Sequence, residues 1–271
     1  TVAHAPAPTS TDKVDLGSLP SADFETNRKK LMNARAMGDA PVSSAPPIPV
    51  KEPLSNKNFD QTDYEAKLVS DLGPEVHINN QQDISGLNGA IPTETQLQTE
   101  FNKLAADPEI PFGYITDGCY ARAHLMADTM HQDNVNVAKM FVMVDDPNDS
   151  ASRLTAHNKY MDASWWYHVA DLTVAENDQT HAKEAFIMDP SMADHPLPAE
   201  EWIHKMWDGK HGVHIDITRD PQYGPMESDG VNATFDESLR PSHEILAQYS
   251  AELDKIKDQY NHDHPNGILA A

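Results

Sequence analysis

Gly118-Cys-Tyr-Ala-Arg-Ala-His-Leu-Met-Ala-Asp-Thr-Met130 is the stretch on which the fold turns. Cys119, Ala123, Met126 and Met130 recur at spacings of 4, 3 and 4, which puts them on one buried face of a helix. Gly118 lets the backbone turn sharply just before that helix, so the thiol sits at its N-terminus. There the dipole and the free amides stabilise a thiolate, and the same amides can hold an oxyanion. Cys119 is the single cysteine among 271 residues, so no intrachain disulfide can form. A buried structural cysteine is the alternative reading at this point.

Upstream, Thr93-Glu-Thr-Gln96 has the pattern of a capping box, and Leu97, Phe101 and Leu104 follow at helical spacing. This predicts a helix that stops near Asp107-Pro108. Downstream the period changes. Lys139–Val144, Ser164–Val174 and Glu184–Met188 read as strands, with a polar loop from Asp145 to Asp162. Trp202, Met206 and Trp207 suggest a further helix, residues 208–236 read as loop, and Pro241 opens a last helix. Its apolar side is expected to carry Ile245, Tyr249, Leu253, Ile256 and Tyr260. A nucleophile helix packed on a small antiparallel sheet is an α+β arrangement.

A thiol nucleophile needs a base. His124 is turned about 140° from Cys119 on the same helix, and His131 lies too far down it. His168, in the apolar run Trp166-Tyr-His-Val-Ala-Asp-Leu172, is the best candidate. Alternation places Trp166, His168, Ala170 and Leu172 on one face, expected to receive the Cys119 helix. Asp189 closes the next strand before Pro190, which cannot continue the ladder. From there its carboxylate can orient the imidazole, completing a nucleophile, base and orienter. An Asp-Pro turn and a satisfied core histidine remain the plain alternatives.

Residues 1–85 differ in character. Nine of the 20 prolines fall in residues 1–74, and Pro41–Pro53 reads as an extended linker. Weak helices are expected over Phe24–Met37 and Asp63–Leu72. The division drawn is 1–85, a pro-region or flexible segment, and 86–271, a catalytic domain. The opening Thr1-Val-Ala-His-Ala-Pro reads as the product of trimming, whether of a signal peptide or by another cut. The net charge of −23 argues against a nucleic-acid partner, since phosphate would be repelled over most of the surface. No apolar run reaches the roughly 18 residues of a membrane span.

Three segments in order carry a specific resemblance: Asp117-Gly-Cys-Tyr-Ala-Arg-Ala-His124, Trp165-Trp-Tyr-His-Val-Ala170 and Ile187-Met-Asp-Pro-Ser191. They resemble the signature segments of bacterial protein-glutaminase, over roughly residues 90–195. The resemblance implies a papain- or transglutaminase-like core and a triad of Cys119, His168 and Asp189. It also implies hydrolysis of glutamine side-chain amides in proteins or peptides through a Cys119 thioester. A secreted, monomeric proenzyme, held inactive by its N-terminal region, would follow. Gly118, Trp165, Trp166 and Tyr167 are expected to line the approach for the glutamine stem. Two features depart from the family: there is no second cysteine, and Trp166 stands where a small residue is expected.

No cofactor and no metal are expected. His204, His211 and His214 could ligate zinc with a nearby carboxylate, but their spacing matches no tight zinc pattern. A transglutaminase or cysteine protease could use the same triad, since only the amide attacked or the acyl acceptor differs. A toxin-like deamidase with a single target would show narrow specificity. An inactive acidic binding module is the alternative outside enzymology.

Overall fold

The computed structural model describes residues 58–224 and 239–264. The expected helix over Phe24–Met37 and the proline-rich linker lie outside them. The chain first forms helix α1 (Gln61–Leu72), with Asp60 capping its N-terminus and Gly73, at φ 95°, ending it. Strand β1 (Val76–Gln81) follows. Helix α2 (Glu94–Ala105) opens with the expected capping box: Gln96 N donates to Thr93 Oγ1 at 3.3 Å, and Thr93 N donates to Gln96 Oε1 at 2.9 Å. Helix α3 (Cys119–Gln132) carries the thiol at its first position.

Next come β2 (Ala138–Val144), β3 (Leu154–His157), β4 (Asp162–Trp165), β5 (Tyr167–Glu176) and β6 (Lys183–Met188). The short helix α4 (Ala199–His204), strand β7 (Val213–Arg219) and helix α5 (Arg240–Asp263) complete the described chain. Five strands form one sheet in the order β1-β7-β2-β5-β6, and β3 and β4 form a separate hairpin. Strands β7, β2, β5 and β6 are mutually antiparallel, whereas β1 joins β7 in parallel at the edge.

The sheet is covered on both faces, which explains why its central strands β2 and β5 are buried almost throughout. On one face Met140, Val142, Ala170, Leu172, Ile215 and Ile217 pack with Leu68 of α1 and with Trp202 and Ile203 of α4. On the other, Phe141, Met143 and Val169 meet Cys119 and Ala123, while Phe186 and Met188 pack with α2, α3 and Leu246 of α5. The core of α3 is the expected one, with Ala123, Met126 and Met130 all buried.

Four expectations are corrected. The polar loop from Asp145 to Asp162 contains β3, which pairs back onto β4. The single strand Ser164–Val174 is broken at Trp166, whose carbonyl accepts from Val144 N. The loop read over 208–236 contains β7, in which Val213, Ile215 and Ile217 alternate with polar residues. In α5 the buried positions are Ser242, Leu246 and Leu253, so Leu246 displaces Ile245 from the centre of the contact face.

The division at residue 85 also cuts through the sheet. Val76↔Val213 and His77↔His214 are paired positions of β1 and β7, and Leu68, Leu72 and Val76 are buried. Residues 58–81 thus pack with the strands assigned to the catalytic domain.

Candidate active site

Gly118 adopts φ 81° as the N-cap of α3, a left-handed conformation that a residue with a Cβ enters at a cost. The turn is held from three sides. Gly118 N donates to Asp117 Oδ1 at 2.6 Å. Tyr249 of α5 donates its hydroxyl to Asp117 Oδ2 at 2.7 Å. The buried Arg122 guanidinium donates to the carbonyls of Tyr114 and Asp117, both at 2.8 Å. Cys119 therefore stands on a fixed turn at the end of a 14-residue helix, where the first amides have no intrahelical acceptor.

His168 is the second residue of β5 and is 1% exposed. Its register partner on β2 is Val142. Strand β6 ends its ladder at Met188 opposite Asp171, three positions before His168 is reached. The other flank of His168 is thus left free of a β6 partner, and the residue after β6, Asp189, fills it. His168 Nε2 and Asp189 Oδ2 are 2.8 Å apart.

Asp189 is itself saturated. Oδ2 also accepts from the Trp202 indole at 2.9 Å, and Oδ1 accepts from Ser191 N at 3.0 Å and Ser191 Oγ at 2.5 Å. Burial pushes this carboxyl up, but the hydrogen bonds from His168, Ser191 and Trp202 outweigh it and hold it below its ordinary value. Burial likewise pushes the His168 imidazole down. The hydrogen bond to Asp189 and the neighbouring Cys119 thiol outweigh that and raise it to about 9. The ring is clamped between Trp165, stacked at 4.7 Å and 15°, and Trp202 at 5.6 Å.

The face on which Cys119 and His168 meet differs from the one expected. Strand alternation does group His168 with Ala170 and Leu172, but α3 packs on the opposite face, against Phe141 and Val169. The Cys119 thiol is nonetheless near enough to help raise the imidazole. The two residues approach at the first position of the helix and the second position of the strand, not through two packed faces.

The four expected lining residues separate. Trp165 is buried, donates its indole N–H to the Ile115 carbonyl at 2.9 Å and forms a wall of the histidine site. Gly118 is buried under Tyr249. Trp166 and Tyr167 are half-buried and pack beside Cys119. His124 points away from the site, as its helical phase requires, and its Nδ1 lies 3.3 Å from Lys139 Nζ. Sequence reasoning missed Trp202, Ser191 and Tyr249 as supports. A buried indole N–H needs an acceptor, but nothing local says which one.

A cavity of about 620 Å³ is lined by residues such as Gln82, Ser85, His131 and Arg219 and by none of Cys119, His168 and Asp189. The chemistry of the constellation outweighs cavity size here, because a single amide needs little room. Among the described residues no helix is long and apolar enough to cross a membrane.

Residues 97–206 match a family model described as glutaminase, a span that holds Cys119, His168 and Asp189. No curated protein matches the chain. The NMR structure of protein-glutaminase from Chryseobacterium proteolyticum is 26% identical, with a TM-score of 0.50 over 59% of this chain and 89% of that one. A mutant of pro-protein-glutaminase is 25% identical, with a TM-score of 0.52 over 64% of this chain and 62% of that one. A crystal structure of protein-glutaminase, 24% identical with a TM-score of 0.50, shares the fold. The matched span holds Cys119, His168 and Asp189 together, and the fold is shared with protein-glutaminase structures, so the chain is similar to the protein-glutaminase family in both sequence and fold.

Proposed function

We propose that this chain hydrolyses the side-chain amide of protein-bound glutamine, with Cys119 as nucleophile, His168 as acid and base, and Asp189 as orienter. The observation that carries the reading is the commitment of His168 Nε2 to Asp189, which leaves Nδ1 as the nitrogen available for proton transfer. The Cys119 thiolate adds to the amide carbon, and the oxyanion is met by amides at the start of α3. His168 Nδ1 gives its proton to the leaving nitrogen, ammonia departs, and a thioester remains. Water then gives a proton back to Nδ1 as it attacks the thioester. Glutamate and the free thiol result, so the net reaction is glutamine plus water to glutamate plus ammonia. Asp189 stays ionised throughout and stabilises the imidazolium.

Trp166 and Tyr167 flank the thiol on the half-exposed side and would guide the glutamine stem. Substrates would be proteins or peptides with accessible glutamine, acted on by a secreted monomer. A segment N-terminal to residue 58 would cover the site before activation.

Ammonia release from casein tests the reaction. The chain is expected to release it, and Cys119→Ala is expected to release none above background. Equal release from both would remove Cys119 from the mechanism. Adding a labelled primary amine separates hydrolysis from transfer, since both release ammonia: amine incorporation exceeding the glutamate formed would make the chain a transglutaminase.

A further inference from the structure

Away from the triad, three side chains from separate parts of the fold converge at the β1 edge of the sheet. His77 and His214 are directly paired positions of the parallel strands β1 and β7. Their rings stack with centroids 5.7 Å apart and planes 29° apart. Asp145 follows the last residue of β2, and its Oδ1 lies 3.2 Å from His214 Nδ1. One ligand atom from each of His77, Asp145 and His214 lies within 4.8 Å of the other two.

We propose that His77, Asp145 and His214 form a binding site for a divalent transition-metal ion of the zinc class. Two imidazoles and one carboxylate are a donor set such ions favour, whereas calcium and magnesium take oxygen donors. Ligand atoms held at about 2.0–2.1 Å around a tetrahedral ion lie roughly 3.3 Å apart. The 3.2 Å between His214 and Asp145 already matches that, and a small rotation of the exposed His77 closes the remainder.

The donors stand on rigid supports. Residues 77 and 214 are fixed by the strand register, and Asp145 N donates to the Gly212 carbonyl at 3.1 Å. A Cβ on Gly212 would collide with the Asp145 carboxylate, so glycine there is what lets the carboxylate lie across the strand end. His77 and Asp145 are exposed and His214 is half-buried, so water can take a coordination position and the ion has a path in. The chain's net charge of −23 further favours a cation.

The ion would act as a clip. It would tie the edge strand β1 to β7 and to the end of β2, closing loops of 67 or more residues in a chain with no disulfide to do so. The sequence grouped His214 with His204 and His211. Only the register of β1 on β7 reveals His77 as its neighbour.

The test uses the full chain, stripped with chelator, and zinc chloride alone as the probe. One equivalent is expected to bind by calorimetry with micromolar or tighter affinity and to raise the melting temperature by several degrees. Calcium chloride is expected to do neither. His77→Ala and His214→Ala should each weaken zinc binding at least tenfold and abolish the thermal shift. The exposed His77 variant should keep its metal-free melting temperature. Cys119→Ser should bind zinc like the parent chain, which distinguishes this site from the thiol. Binding that survives both histidine variants, that is lost in Cys119→Ser, or that is absent at about 100 μM zinc, roughly a hundred times the micromolar affinity expected, would overturn the proposal.

Discussion

His168 Nε2 and Asp189 Oδ2 lie 2.8 Å apart with side chains only 1% and 6% exposed. Because Asp189 also accepts from Ser191 and Trp202, it cannot turn away from the imidazole without stranding buried donors. The orientation of the ring is thus imposed by the core.

Asp189→Asn keeps the size of this group but lets the amide present a donor to Nε2, which favours the wrong tautomer. Ammonia release is expected to fall roughly a thousandfold or more with the chain still folded. The His168 titration, followed by NMR of the ring protons, should move down from about 9. Unchanged turnover would show that Asp189 has no part in orienting the base.

The same pair makes stability depend on pH. The folded His168 value of about 9 stands above the unfolded value of about 6.5, so the folded state binds the proton more tightly. The stabilisation is full below about pH 6.5 and is lost as pH rises through about 9. Its upper limit is about 3 kcal/mol, from about 1.4 kcal/mol per pH unit. Urea unfolding of the parent chain and His168→Gln at pH 6 and pH 10 measures it. The gap between them should narrow by an amount of that order at pH 10, and a constant gap would sever the link.

Gly118→Ala tests the turn that presents the thiol. At φ 81° a Cβ is strained, and it would lie 2.9 Å from the Tyr249 ring. A loss of about 1–3 kcal/mol in stability is expected. Alkylation of Cys119 by iodoacetamide and ammonia release should both slow as the turn shifts. Normal rates in a destabilised chain would confine Gly118 to a folding role.

Removal of residues 1–57 and removal of residues 1–85 should differ sharply. A chain beginning at 58 keeps α1 and β1, and it is expected to deamidate casein faster than the full chain. A chain beginning at 86 loses the buried Leu68, Leu72 and Val76 and uncovers the β7 edge. At about 1.5–3 kcal/mol per buried side chain, that forfeits roughly 5–8 kcal/mol, comparable with the whole stability of many domains. Circular dichroism melts would register the difference. Equal melting of the two would mean that β1 adds little to the sheet.

Much of the site was legible as local pattern. The spacing of Ala123, Met126 and Met130 marked the face of α3, Thr93 and Gln96 marked the start of α2, and Gly118 marked the turn before the thiol. Each rests on interactions within about four residues, which sequence records directly. Strand β7 is harder to see locally, because its alternating Val213, Ile215 and Ile217 are only three apolar positions between the loop signals of Gly209, Gly212 and Pro221.

The sequence by itself determined the chemical groups, their order along the chain and the helix end that carries the thiol. Tertiary structure decided how they meet. The early end of β6 leaves the flank of His168 to Asp189, and Trp202, 13 residues beyond that aspartate, fixes its carboxylate. Tyr249 reaches Asp117 in the turn before Cys119 from 132 residues away. Strand register sets such contacts, and register depends on which strands pair and where each ladder stops. The same reason hid the neighbourhood of His77 and His214, which are 137 residues apart in sequence and adjacent across the parallel edge of the sheet.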